Sequence, residues 1–97
     1  MNKKLTGENI DNLFKGMLKL ETVEECRDFF FDLCTISEIQ SMAQRFEVAM
    51  MLDKNTIYND IAAKTGASTA TISRVNRSLN YGNDGYKLII ERFKEDE

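Results

Sequence analysis

Gly66 divides two stretches of apolar residues that both recur at helical spacing. In YNDIAAKTGASTATISRVNR, residues 58–77, that arrangement fixes two short helices meeting at a tight turn. A helix C-terminus favours a residue at positive φ, which glycine adopts at little cost, so the first helix ends at Thr65. Ser68 is placed to cap the second helix, its hydroxyl accepting a backbone N–H near Ala70 or Thr71. Two helices crossing at a steep angle need small or branched residues where they touch, and Ile61, Ala62, Ala67, Ile72 and Val75 supply them. Ile72 and Val75, three apart, face inward.

What the crossing leaves outward is Ser68, Thr69, Ala70, Ser73, Arg74 and Arg77, short near the start of the helix and basic further along. Short side chains allow close approach to a DNA major groove, where hydroxyls pair with several base edges and a methyl touches thymine. Arg74 and Arg77 have the reach to meet phosphates or guanine. The segment therefore reads as a helix-turn-helix that contacts double-stranded DNA. An ordinary αα-hairpin of a helical bundle is the competing reading, and it does not by itself call for a hydroxyl-rich outer face.

The other segments are helical as well. Ile10, Leu13, Phe14, Met17 and Leu18 mark an amphipathic helix over about Glu8–Leu20. Thr22 and Glu25 form a capping box that starts a second helix through Phe29, Phe30 and Phe31. Ser37 and Gln40 form another, opening a long helix with apolar residues nearly all round its second half, which belongs at the centre. NYGNDG, residues 80–85, collects turn-forming residues before a last helix bearing Tyr86, Ile89, Ile90 and Phe93. There is no proline and no period-two run of β-branched residues, so the chain is expected to be one all-α domain, with residues 8–54 as a dimerisation core, 56–80 as the helix-turn-helix and 84–94 as the C-terminal helix. A domain of 97 residues buries only about 60–65% of its unfolded surface. Three successive phenylalanines cover most of a helix circumference, so at least one points away from its own chain, and a second subunit would cover it.

The net charge of −3 argues at first against nucleic acid, because such binding draws on phosphate neutralisation. Locally the sign reverses. Over residues 56–80, Lys64, Arg74 and Arg77 stand against Asp60 alone, a balance of +2 that leaves −5 for the remainder, to face away from DNA. Cys26 and Cys34 are eight positions apart on what reads as one helix, about 12 Å, too far for a disulfide, and are expected as core thiols of a reducing compartment. MNKKLTGEN lacks the apolar run of a signal peptide, and no run of about 18 apolar residues could span a membrane, so a cytoplasmic protein is expected. With no histidine, two isolated cysteines and no glycine-rich phosphate loop, neither catalytic residues, a metal site nor a cofactor is expected.

From Leu33 to Phe93, roughly two thirds of the chain, LCTISEIQSMAQRFEVAMML and GASTATISRVNRSL resemble the Trp repressor family of bacterial regulators, and within that superfamily the YerC/YecD group. The resemblance implies an intertwined helical homodimer with two reading heads set about 34 Å apart on a two-fold symmetric site. It also implies that Thr69, Ala70, Thr71 and Ser73 approach bases and phosphates. Asn59 and Ala62 stand where family members carry basic residues, which leaves phosphate anchoring to Lys64 or to an N-terminal lysine, Lys3 or Lys4.

The same resemblance places an effector pocket at Thr35, Arg45, Arg74, Val75 and Ser78. Arg45 and Arg74 match the arginines that flank the ligand, and Thr35 and Ser78 match polar residues near it. Val75, however, stands where the family has glycine beside the ligand ring, and Asp32 where it has leucine. A valine adds three heavy atoms, and a carboxylate is a poor neighbour for the carboxylate of an amino acid. Tryptophan is therefore not expected to bind. Either Val75 fills the pocket and holds the reading head ready without an effector, or a smaller ligand is held by Arg45 and Arg74. Arg45 also fits a salt bridge to Asp32, Glu38 or an acidic residue of a partner subunit. Two functions follow: a sequence-specific regulator, a repressor in its family setting, or a helical protein-interaction module that does not bind DNA.

Overall fold

The computed structural model describes residues 7–97, so Lys3 and Lys4 and the start of MNKKLTGEN lie outside the described residues. Within them the chain is helical, with α1 (Glu8–Met17), α2 (Val23–Leu33), α3 (Ile36–Asp53), α4 (Tyr58–Thr65), α5 (Thr69–Tyr81) and α6 (Gly85–Glu95). Two compact units are present, one ending at Ile39 and the other spanning Gln40–Glu97.

In the first unit, α1 stops at Met17, short of the expected Leu20. Lys19 and Leu20 bond back to Gly16 and Met17, three residues away, so the last turn tightens. Gly16 in that turn weakens the helix further. α2 begins as the sequence indicates: Thr22 Oγ1 accepts from the Glu25 N–H at 3.0 Å, and Glu25 Oε1 accepts from the Glu21 N–H at 2.9 Å. The start of α3 differs. Thr35 rather than Ser37 is the cap: its Oγ1 accepts from the Glu38 N–H at 3.1 Å while its own N–H donates to Glu38 Oε1 at 2.8 Å. Both strings fit a capping box, but TISE places a charged carboxylate on the positive end of the helix and starts it earlier, adding backbone bonds. The Thr35 amide, and secondarily its side chain, hold the Glu38 carboxyl below its ordinary value.

No described residue of this first unit is buried. Phe29 and Phe30 meet edge to face with centroids 5.5 Å apart and are half-buried, while Phe31 is 54% exposed and is the outward member of the trio. Cys26, expected in a core, is exposed; Cys34, the C-terminal cap of α2, is half-buried, and both thiols are free. The reason is that two short helices of one chain cannot enclose a side chain from all sides.

The second unit has the core. Val48 and Ala49 of α3, Ile61 of α4, Ala67 of the turn, Ile72, Val75 and Leu79 of α5 and Ile90 of α6 are buried together, with Met50, Met51, Leu52, Ala62 and Tyr86 at the rim. Each fully buried branched side chain contributes about 1.5–3 kcal/mol. Phe46 and Phe93, with ring centroids 5.9 Å apart, join α3 to α6. Among the described residues the one ion pair is Lys94 Nζ to Asp53 Oδ2, at 3.0 Å. It raises the Lys94 pKa through the Asp53 hydrogen bond first and its charge second. Asn55, at φ 62°, closes α3 in the left-handed conformation that asparagine tolerates better than most residues.

Candidate nucleic-acid interface

Gly66 caps α4 at φ 73° and its N–H bonds to the Ala62 carbonyl at 2.9 Å. Thr65 then locks the turn. Its hydroxyl donates to the Ile61 carbonyl at 2.7 Å and accepts from the Ala67 N–H at 3.1 Å, and its carbonyl accepts from Gln44 Nε2 of α3 at 3.1 Å. Ala67 is thereby held against the core, and the direction in which α5 leaves the turn is set from three sides. Sequence reasoning missed both Thr65 and Gln44. A threonine before a C-capping glycine is a local signal for the first; a contact across 21 residues left none for the second.

At the head of α5, Ser68 Oγ accepts from the Thr71 N–H at 3.1 Å and donates to Thr71 Oγ1 at 3.1 Å. The two hydroxyls are committed to each other, which rigidifies the first turn. The amides of Thr69 and Ala70, the first two of the helix, have no intrahelical partner, and at a helix N-terminus the dipole favours an anion.

Of the eight residues expected at DNA, seven are exposed: Lys64, Ser68, Thr69, Ala70, Ser73, Arg74 and Arg77; Thr71 is half-buried. Ala70, Ser73, Arg74 and Arg77, spaced i, i+3, i+4 and i+7, line one hollow of about 230 Å³. α5 carries no acidic residue, and among the described residues neither arginine is ion-paired. Lys64 lies in the last turn of α4.

The residues expected at an effector belong to both units. Thr35 is the cap of α3 in the first unit. In the second unit Arg45 is half-buried on α3 and, among the described residues, makes no ion pair, while Arg74 lies on the outward face of α5. Val75, 1% exposed, is in the core. Ser78 borders a different hollow, about 420 Å³, walled by Phe46, Tyr86 and Ile89. That hollow shares no lining residue with the arginine-lined one: Val75 projects about 100° round α5 from Arg74, and Ser78 stands one turn, about 6 Å, further along the helix. Gly82, also at its edge, has no room for a side chain: a Cβ there would run into the Ser78 carbonyl.

Comparison with known proteins places these features in a family. A family model described as Trp repressor protein matches residues 8–94. The chain is 58% identical over 94 residues to the YerC protein of Bacillus subtilis, covering 97% of this chain and 90% of that one. It is 36% identical over 78 residues to the Trp operon repressor homolog of Chlamydia caviae, covering 79% and 70% respectively. The crystal structure of a TrpR like protein from Eubacterium eligens superimposes with a TM-score of 0.92 at 59% identity, covering 96% of both chains.

Proposed function

The chain belongs to the Trp repressor protein family, a family of DNA-binding regulators, and on that footing we propose that it is a sequence-specific transcriptional repressor acting as a cytoplasmic homodimer. The observation that carries this reading is the outward face of α5: short residues, two arginines without an ion pair among the described residues, no carboxylate, and two amides at its head without an intrahelical partner. The amides of Thr69 and Ala70 and the Lys64 ammonium meet phosphates, and the side chains of Thr69, Ala70, Ser73 and Arg74 enter the major groove. Ser68 and Thr71 hold the helix head in shape for that entry.

Dimerisation is supported by the lack of any buried residue among the described residues of the first unit, where Leu18, Val23, Phe31 and Ile36 are each exposed. A second copy would supply the missing cover and would set the two heads about 34 Å apart on a symmetric site. Binding of tryptophan is not part of this reading. Val75 occupies the inward side of α5 itself, so the reading helix is held to its core by protein rather than by a ligand.

The rival, an interaction module without DNA binding, draws on the net charge of −3 and on Asn59 and Ala62 in place of cations. One variant separates the two. A chain carrying Thr69→Asp and Arg74→Glu should lose binding to a selected duplex by at least a hundredfold while keeping its fold, since both side chains are exposed. Parent-level affinity in that variant would remove α5 from the interface.

A further inference from the structure

Among the exposed residues in the first three turns of α5, Ala70 is the only apolar one; its neighbours on that face are hydroxyls and guanidinium groups. Its methyl lies in the hollow that Ser73, Arg74 and Arg77 complete. We propose, building on the DNA-binding reading above, that this hollow is a base-reading subsite for a thymine lying within two base pairs of a guanine, with Arg74 reading the guanine and Arg77 anchoring a phosphate.

The chemistry selects the occupant. In the major groove only thymine presents an apolar group, its 5-methyl, and the methyl of Ala70, the one apolar side chain lining the hollow, matches it. Small residues at positions 70 and 73 leave a depression between two long side chains, so a base edge approaches the helix backbone there and not further along. The charge of the hollow is positive only, which suits the acceptor edge of guanine, O6 and N7, and the phosphates beside it. No carboxylate of α5 competes for either guanidinium.

Position along the helix divides the arginines. Arg74 is one turn from Ala70, about 6 Å along the axis, which corresponds to about two base-pair steps of 3.4 Å. Arg77 is one further turn out, about 10 Å from Ala70, where a helix that enters by its N-terminus has reached the lip of the groove. The planar fork of Arg74 suits bidentate pairing with guanine; Arg77 contributes as a charge.

The test uses the full chain and a duplex selected from a random pool. The selected half-site should hold a thymine with a guanine within two base pairs. Replacing that thymine by deoxyuridine removes only the methyl, and should weaken the parent about fourfold, the equivalent of one buried CH₂ of about 0.8 kcal/mol. The Ala70→Gly variant should be indifferent to the same replacement. Arg74→Lys should lose at least tenfold in preference for the guanine, whereas Arg77→Ala should weaken binding to all duplexes alike and lower the salt dependence by about one phosphate contact per head. A selected site that tolerates deoxyuridine, or an Arg77 variant that relaxes base preference while the Arg74 variant does not, overturns the subsite and leaves DNA binding intact. No enrichment from the pool would instead remove DNA binding, and the subsite with it.

Discussion

Replacing Val75 by glycine tests how the reading helix is held. Val75 is 1% exposed and packs in the cluster with Ile61, Ile72 and Leu79. Its three side-chain carbons are each worth about 0.8 kcal/mol on burial, about 2.4 kcal/mol in all. Glycine in a helix interior adds about 1 kcal/mol relative to alanine, so Val75→Gly should destabilise by about 3 kcal/mol before any cavity contribution. Val75→Ala, which keeps one carbon and a good helix former, should lose about 1.6 kcal/mol. Thermal unfolding followed by circular dichroism at one fixed protein concentration measures both, since a dimer's melting temperature depends on concentration. At about 4–8 °C per kcal/mol for a domain of this size, the glycine variant should melt at least 10 °C below the parent. Ser73→Ala, two positions away on the outward face, is the control and should lie within about 0.5 kcal/mol of the parent. A glycine variant less than 1 kcal/mol below the parent would mean that Val75 is not a core residue that fixes α5.

Gly66→Ala should destabilise by about 1–2 kcal/mol through backbone strain alone, since φ is 73° and a Cβ there meets nothing within 4 Å. Gly66→Asn should lose less than half as much, as Asn55 already sits at φ 62° in the same chain; equal losses in the two variants, read by urea titration, would point to a steric cause. Glu38 supplies a pH prediction. Its folded pKa is depressed below the 4.5 of the free group, so its contribution to stability is present above about that pH and disappears as pH falls through the folded value. Glu38→Gln should therefore flatten the acid limb of the stability curve below pH 4.5, and an unchanged acid limb would mean that the capping box does not persist in solution.

Local chemistry was the most legible part of the chain. Gly66 as the left-handed cap and Ser68 as the N-cap follow from residue type and position, because each needs only neighbours within three or four residues. The inward placing of Ile72 and Val75 follows from helical spacing in the same way. Where two local signals overlapped, the choice was not legible: Thr35 and Ser37 both head capping boxes, and only the charge on Glu38 favours the first. Contacts over long separations were invisible, as with Gln44 on the Thr65 carbonyl. So was the second bond of the cap, from the Ser68 hydroxyl to the Thr71 hydroxyl, which engages both side chains at the helix head. Cys26 differs from expectation because a thiol among phenylalanines reads as core, whereas no described residue of the first unit is buried.

On the proposed function, α5 reads a two-fold symmetric DNA site without an added effector. Sheared bacterial DNA passed over the purified full-length protein, with no amino acid present, tests it in one step. The expected result is enrichment of fragments sharing an inverted repeat whose half-sites are centred about one helical turn, about 34 Å, apart. No enrichment, or enrichment only after tryptophan is added, would contradict it.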